Sequence, residues 1–151
     1  MVGVIITGHA NFPTGILSAV SLVAGAQENV VGVDFDVAAG MGAEELKAKL
    51  KETIDELGFD EIAIMCDLAG GTPFKMAAEL KMELTDKKIR VMAGTNLPAA
   101  IEAAFSSGYC ALDELAKAVV TAGKDGVMDL DGFDDDASEE EGEPDFGDEG
   151  L

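Results

Sequence analysis

The stretch Val2-Gly3-Val4-Ile5-Ile6-Thr7-Gly8-His9 decides how this 151-residue chain folds. Its apolar part, residues 2–7, is rich in β-branched side chains and predicts a buried β-strand. The strand delivers His9, the only histidine of the chain, into a loop at its carboxyl end. Because imidazole changes its charge near neutral pH without special tuning, His9 is the first candidate for acid–base or nucleophilic chemistry. The alternative is a lone surface histidine in a turn.

Strand and helix patterns alternate after this first strand. Further strands are predicted at residues 30–35, 62–66, 89–93 and 126–130. Helices are predicted at residues 16–24, 43–57, 73–84, 97 onward and 112–122, with Gly25 and Gly58 as stops after the first two. Four strand–helix units in series predict an α/β fold with a parallel sheet, right-handed crossovers and helices on both faces. We expect the flavodoxin-like strand order 2-1-3-4.

Charge divides the chain into two parts. The net charge is −20, and residues 129–151 contribute twelve acidic side chains with no Lys or Arg. The first 128 residues carry eighteen acids against ten bases, a net charge of −8. We therefore predict one domain at residues 1–130 and a disordered acidic tail at residues 131–151 whose role is solubility rather than partner binding. An acidic body with an acidic tail argues against a nucleic-acid partner.

Two cysteines, Cys66 and Cys110, are too few and too far apart to indicate a disulfide framework. Both are predicted to be small hydrophobic side chains in a reducing compartment. Met1 leads straight into strand residues without a basic leader, and no apolar run is long enough to span a bilayer. We expect a cytoplasmic protein.

The predicted strand order places two polar side chains together. Chemistry in an open α/β sheet collects beyond the carboxyl ends of the strands, at the switch point between strands 1 and 3. Strand 1 ends at His9, and strand 3 is followed directly by Asp67. Neighbouring strands lie about 4.8 Å apart, so Asp67 can reach the imidazole, fix its tautomer and leave the other ring nitrogen free to attack. The alternative for Asp67 is a loop or helix-cap carboxylate.

The loop after strand 3 continues as Gly70-Gly71-Thr72-Pro73. Two glycines permit a tight turn, Thr72 is predicted as the N-cap, and Pro73 suits the first helical position. A helix N-terminus preceded by glycines is an anion site, although the same residues could form only a turn. Together with His9 and Asp67, it predicts phosphoryl transfer through a phosphohistidine. The sequence contains no hydrolase elbow, nucleotide loop or metal-ligand cluster, so we expect no metal and no cofactor.

Five stretches of the chain resemble the mannose-family enzyme IIA of the phosphoenolpyruvate-dependent sugar phosphotransferase system. They are Ile6-Thr7-Gly8-His9, Gly25-Ala26-Gln27-Glu28-Asn29-Val30, Asp67-Leu68-Ala69-Gly70-Gly71-Thr72-Pro73-Phe74, Gly94-Thr95-Asn96-Leu97-Pro98 and Gly123-Lys124-Asp125-Gly126-Val127. The resemblance extends from the first strand to about Leu130, in the family's order. It is specific as a set, whereas any single stretch is not.

The resemblance implies a role for each residue of the predicted site. His9 would accept a phosphoryl group from the phosphocarrier protein HPr and pass it to a IIB component for sugar uptake. Asp67 would orient His9, and the turn at Gly71, Thr72 and Phe74 would hold the phosphoryl oxygens. The chain would thus be a phosphotransferase component with a phosphohistidine intermediate.

The resemblance also implies partners. Members of the family are homodimers that exchange their last strand, and residues 126–130 match that strand. Association with the membrane would be indirect, through the IIC/IID permease, and the choice of sugar would reside in the IIB and membrane components.

Three residues depart from the family pattern, and two other functions stay open. Lys75, Ala69 and Ala99 stand where asparagine, a bulkier side chain and methionine are usual, near the expected docking face. One alternative function is the phosphocarrier subunit of a dihydroxyacetone kinase, although Gly70-Gly71-Thr72-Pro73-Phe74 favours the sugar-transport type. The other is a non-catalytic regulatory module that binds a free anion.

Overall fold

A computed structural model describes residues 1–132 of the chain. The strands are β1 (Gly3–His9), β2 (Val30–Phe35), β3 (Glu61–Cys66) and β4 (Lys88–Met92). The helices are α1 (Phe12–Ala24), α2 (Ala43–Leu57), α3 (Thr72–Glu83), α4 (Leu97–Ser106) and α5 (Leu112–Asp125), and a 3₁₀ turn follows at Leu130–Gly132. The predicted acidic tail lies outside the described residues except for its first two positions.

The four strands form one parallel sheet in the order β2-β1-β3-β4, which confirms the predicted order. Residues 3–8 of β1 are all buried, because the strand lies between two neighbours and beneath helices on both faces. In the register, Gly8 lies opposite Asp34 of β2, and Thr7 lies opposite Cys66 of β3. The carboxyl ends of the three strands therefore meet at one edge, and Asp67 extends β3 by one residue there.

Two apolar cores lie on opposite faces of the sheet, which confirms the predicted helices on both sides. One core joins Val4 and Ile6 of β1 to α1, α4 and α5. The other joins Ile5 of β1 to α2 and α3, where Leu50, Ile54 and Leu80 are among the fully buried side chains. Alternate residues of β1 thus serve alternate cores, as a strand requires.

The predicted helix ends agree with the structure where glycine stops the helix. Helix α2 spans Ala43–Leu57 as predicted, and its C-cap Gly58 has φ +72° and donates its N–H to the Ile54 carbonyl. Gly25 follows α1 with φ +81°. Helix α5 runs three residues beyond the predicted end at residue 122. Among the described residues, no helix has the length and apolar character that crossing a bilayer demands.

The strand predicted at residues 126–130 is wrong for the single chain. Gly126 is the C-cap of α5, residues 127–129 have no regular structure, and Leu130 begins the 3₁₀ turn. A strand needs a neighbouring strand to accept its hydrogen bonds, and within residues 1–132 none pairs with it. Val127, Met128 and Leu130 are consequently 77%, 59% and 73% exposed.

Residues 126–132 leave the fold at the same edge of the sheet as His9. Asn96, in the loop after β4, donates its amide to the carbonyl of Gly123 at 2.8 Å. Gly126 packs so closely on Pro98 that a Cβ there would overlap the proline ring. Met1 precedes β1 and therefore lies beyond the opposite edge.

Candidate functional site

His9 is the last residue of β1 and stands at the edge where the strands end. Its side chain is 45% exposed, and its ring packs edge-on against the ring of Phe35 with 6.2 Å between centroids. The next residue, Ala10, has φ +50° and donates its N–H to the Phe35 carbonyl at 2.9 Å. The ring thus has a fixed apolar wall on one side and access to solvent.

Asp67 lies beside His9, as the strand order predicts. Its Oδ2 accepts the backbone N–H of His9 at 2.8 Å and lies 2.8 Å from the ring Nδ1. Its Oδ1 accepts the backbone N–H of Leu68, also at 2.8 Å. The Asp67 side chain is only 11% exposed, so the carboxylate is held firmly and in turn orients the imidazole.

The charge of Asp67 determines which ring nitrogen of His9 carries a proton. Burial by itself raises the pKa of the Asp67 carboxyl, but hydrogen bonds from the His9 backbone, the His9 ring and the Leu68 backbone outweigh it and hold the pKa below its usual 3.8. Near neutral pH the group is therefore a carboxylate, which only accepts hydrogen bonds. Nδ1 of His9 must carry the proton, and in the neutral ring Nε2 holds the free lone pair.

A turn that ends in the first residues of α3 packs against this ring. Gly70 has φ +80°, a conformation that favours glycine. A Cβ added to Gly71 would lie 2.8 Å from Cε1 and 3.4 Å from Nε2 of His9, so only a glycine lets the backbone come this close. Nε2 accordingly faces the start of α3.

The N-cap of α3 differs from the prediction. Gly71 is the N-cap, Thr72 is the first helical residue and Pro73 the second, and no side chain caps the helix. Thr72 and Pro73 therefore lie one residue further into the helix than expected. The extended backbone of Gly71 already suits the N-cap, which lets the helix begin one residue earlier.

Backbone donors at this N-terminus point out of the helix. The first helical hydrogen bond runs from the Lys75 N–H to the Gly71 carbonyl at 3.0 Å. The N–H groups of Gly71, Thr72 and Phe74 precede that bond, and Pro73 has none. An α-helix carries partial positive charge at this end, so these three groups suit an anion.

Gly8 and Phe12 complete the site, and neither is among the residues predicted for it. A Cβ on Gly8 would lie 2.8 Å from Cγ of Asp67 and 2.8 Å from Cδ1 of Phe12. Phe12, the first residue of α1, and Asp67 therefore both pack against Gly8. The available signal in the sequence is the glycine immediately before His9, where a side chain would separate these groups.

A second carboxylate lies across β1 from Asp67. Asp34 accepts the backbone N–H of Thr14 at 3.0 Å and its hydroxyl at 2.5 Å. It is also missing from the predicted site, although it stands near the carboxyl end of β2, at the edge where chemistry is expected. Within residues 1–132 no group of three or more His, Cys, Asp and Glu side chains is placed to hold a metal.

The three residues that depart from the family pattern occupy different environments. Lys75 and Ala69 are exposed near the turn. Ala99, in the first turn of α4, is only 4% exposed and packs in the core. A Cβ added to Gly123 would lie 3.2 Å from the Cβ of Ala99. The first turn of α4 directs Ala99 inward, so its side chain is not available for direct contact with a docking protein.

The sequence matches a known protein family over most of its length. The family described as "EIIA-man: PTS system fructose IIA component" matches residues 3–120. The fructose-specific EIIA component of the phosphotransferase system from Bacillus subtilis (strain 168) is 30% identical over 116 residues, 76% of this chain and 77% of that protein. The mannose-specific EIIAB component from Escherichia coli (strain K12) is 29% identical over 132 residues, 85% of this chain but 39% of that longer protein.

Solved structures with similar sequences share the fold. Phosphotransferase system component EIIA from Streptococcus agalactiae is 41% identical, with a TM-score of 0.80 over 87% of this chain and 98% of that one. The mannose/sorbose-specific IIA subunit from Enterococcus faecalis is 29% identical, with a TM-score of 0.70 over 84% of this chain and 92% of that one.

Proposed function

The chain belongs to the EIIA-man family of sugar phosphotransferase system components, and from this premise we propose that it carries a phosphoryl group on Nε2 of His9. The observation that carries the proposal is the 2.8 Å contact between Nδ1 and Asp67, which leaves Nε2 as the nucleophilic nitrogen beside the first turn of α3. Asp67 acts as the orienting carboxylate. This transfer would take place in the cytoplasm.

The proposed step exchanges one N–P bond for another. The lone pair of Nε2 attacks the phosphorus of a phosphohistidine on the donor protein. The donor's N–P bond breaks, and its electron pair stays on the donor's ring nitrogen. Because Nδ1 keeps its proton, the His9 ring becomes cationic, and the Asp67 carboxylate at 2.8 Å balances that charge. A nucleophile on the acceptor protein then attacks the phosphorus, and the Nε2–P bond breaks with its electron pair returning to Nε2 of His9.

Backbone groups support the transferred phosphoryl group. Charge in phosphoryl transfer spreads over three equatorial oxygens, so catalysis consists mainly of positioning and electrostatic stabilisation. We assign that role to the N–H groups of Gly71, Thr72 and Phe74 at the start of α3, with the helix dipole. No side chain needs to donate a proton to the phosphoryl group in this scheme.

We propose HPr as the donor and a IIB component as the acceptor, which links the carrier indirectly to a IIC/IID permease. Support comes from the relatives: the Escherichia coli protein named EIIAB joins A and B components in one name. The open edge of the site also supports a protein donor, since His9 is 45% exposed and Leu68 beside it is 58% exposed. An apolar side chain exposed at such an edge suits a transient protein interface.

We further propose a homodimer in which residues 126–130 pair with β4 of the partner subunit. In the single chain β4 is an edge strand of the described sheet, and Val127, Met128 and Leu130 are exposed. A groove of about 320 Å³ between the end of β4 and α5 is lined by residues that include Met92, Val119 and Val127. Sedimentation of Val127→Asp against the control Val37→Asp tests this, since both valines are exposed. We expect only Val127→Asp to become monomeric. If both variants sediment as dimers, the proposal is contradicted.

Transfer to His9 can be tested by phosphorylation in vitro. The chain is incubated with radiolabelled phosphoenolpyruvate, enzyme I and HPr, and a IIB component is then added. We expect an acid-labile label on the wild type that IIB removes, no label on His9→Ala, and normal labelling of the control Asp113→Asn. Label that persists in His9→Ala contradicts the mechanism, and an unlabelled wild type favours the anion-binding module.

A further inference from the structure

Helix α1 begins without a cap of its own. Its N-cap residue, Asn11, makes no side-chain hydrogen bond to the helix. Instead, Asp34 of β2 bonds Thr14, the third residue of the helix. The Asp34 carboxylate accepts hydrogen bonds from the Thr14 backbone N–H at 3.0 Å and from its hydroxyl Oγ1 at 2.5 Å. A residue from a neighbouring strand thus does what an N-cap side chain usually does. The negative charge of Asp34 also suits the positive end of the helix.

The first turn of α1 reaches the phosphoryl-carrying site through Phe12. Cδ1 of Phe12 and Cγ of Asp67 would each lie 2.8 Å from a Cβ on Gly8, so the ring and the carboxylate pack against the same glycine. Asp34 lies opposite Gly8 in the β1–β2 register, on the other side from Asp67. The Asp34–Thr14 contact therefore fixes the turn whose first residue, Phe12, shares Gly8 with Asp67.

We propose that Asp34 is a positioning residue for phosphoryl transfer. By holding Thr14 it keeps Phe12 packed against Gly8 beside Asp67, and the largely buried, fixed carboxylate keeps the proton on Nδ1 of His9. Asp34 acts through α1 and touches neither the ring nor the phosphoryl group. This inference rests on the proposed function for its kinetic consequence, whereas its effect on the His9 tautomer does not.

The single histidine makes a direct test possible. In the full chain labelled with ¹⁵N at the imidazole, every histidine ring signal comes from His9. We expect the unphosphorylated wild type to show the Nδ1–H tautomer. In Asp34→Ala the Nε2–H tautomer gains population, and single-turnover labelling slows by about tenfold, since small misplacements of reacting groups have effects of this size or larger.

Two variants separate positioning from charge. Asp34→Asn keeps an oxygen that accepts the Thr14 N–H, so it should restore most of the wild-type tautomer population. Asp36→Asn removes a charge from the same end of β2 but leaves α1 alone, because Asp36 bonds Ala39 N instead. A tautomer shift in Asp36→Asn equal to that in Asp34→Ala overturns the proposal, and so does an unchanged tautomer in folded Asp34→Ala.

Failure of the proposed function and failure of the positioning role give different results. If Asp34→Ala fails to fold, Thr14→Val removes the shorter of the two contacts and must shift the tautomer in the same direction, or the proposal is overturned. If the wild type takes no label but Asp34→Ala shifts the tautomer, the phosphocarrier function fails while the positioning role stands. If the wild type is labelled normally and Asp34→Ala leaves the tautomer unchanged, the phosphocarrier function stands and the positioning role fails.

Discussion

A single oxygen, Oδ2 of Asp67, holds His9 at two points: it accepts the backbone N–H at 2.8 Å and lies 2.8 Å from the ring Nδ1. The main chain and the imidazole are therefore fixed by the same atom. Rotation of the ring away from Asp67 requires loss of a charge-assisted hydrogen bond at a half-buried position. This relationship explains why one carboxylate next to β3 controls both the place and the protonation of the ring.

Replacement of Asp67 by asparagine should slow transfer to His9 while the fold persists. An amide that presents its oxygen to His9 turns its NH₂ group toward the Leu68 N–H, where two donors then face each other. We expect single-turnover labelling to slow by at least about tenfold, as for orienting carboxylates of catalytic histidines generally. Stopped-time labelling measures the rate, and Asp113→Asn is the exposed control. A rate within about twofold of wild type would show that Asp67 does not orient the ring.

The lowered pKa of Asp67 predicts a pH-dependent contribution to stability. A carboxyl whose pKa is lower in the folded than in the unfolded chain stabilises the fold above the unfolded pKa, and the contribution is lost as pH falls through the folded pKa. The contribution of the Asp67 carboxylate to the difference in free energy of unfolding between wild type and Asp67→Asn should therefore shrink as the pH falls below about pH 4. Urea denaturation from pH 7 to pH 3 measures it. A difference that does not change with pH would contradict the assignment.

Substitution by alanine should have different effects at the adjacent glycines Gly70 and Gly71. Gly71 has φ −75°, which any residue adopts, but its Cβ would lie 2.8 Å from Cε1 of His9. Gly71→Ala should therefore impair labelling with little loss of stability. Gly70 has φ +80° and open space around it, so Gly70→Ala should cost about 1–2 kcal/mol of stability and leave the ring in place. Thermal unfolding and labelling of both variants check this, and equal labelling rates would argue against contact at Gly71.

Alanine at Gly8 should destabilise the protein. The added Cβ would overlap both Asp67 and Phe12, and overpacking of this kind typically costs about 1–3 kcal/mol. Gly15→Ala is the control, since its Cβ meets nothing within 4 Å and alanine favours the helix by about 0.5–1 kcal/mol. Denaturant unfolding should move in opposite directions for the two variants. A stability of Gly8→Ala equal to wild type would mean that Phe12 and Asp67 do not crowd Gly8.

The two thiols should differ in reactivity. Burial, followed by the charge of Asp67, raises the pKa of the Cys66 thiol to about 12. Cys110 is half-buried. Because the thiolate is the reactive form, iodoacetamide at pH 8 should modify native Cys110 and spare Cys66 until the chain unfolds. Peptide mass spectrometry gives the order of modification, and early modification of Cys66 would contradict its burial.

Patterns within one element predicted the fold and the centre of the site. The apolar runs indicated the strands, and their order placed Asp67 beside His9 because adjacent parallel strands end at the same edge. Contacts between elements were harder to predict. The bond from Thr14 to Asp34 joins residues twenty positions apart on different elements, and no local pattern announces it.

The predictions of the α3 N-cap and of a fifth strand were wrong for specific physical reasons. The N-cap of α3 lies at Gly71 rather than Thr72 because either residue suits the position, and helix ends often differ by one residue. The fifth strand is missing from residues 1–132 because an extended segment such as residues 126–130 needs a hydrogen-bonding partner, which the single chain does not supply.

Met1 and Gly132 lie at opposite edges of the sheet, and this placement determines where a reporter group should be attached. Met1 and His9 are separated by the length of β1, roughly 20 Å for seven residues at the usual rise of a strand. A fluorophore or surface linker at Met1 leaves the edge with His9 open to a docking protein. The same group joined after Gly132 starts from the edge that carries His9. Immobilised-carrier measurements of partner binding should therefore use amino-terminal coupling.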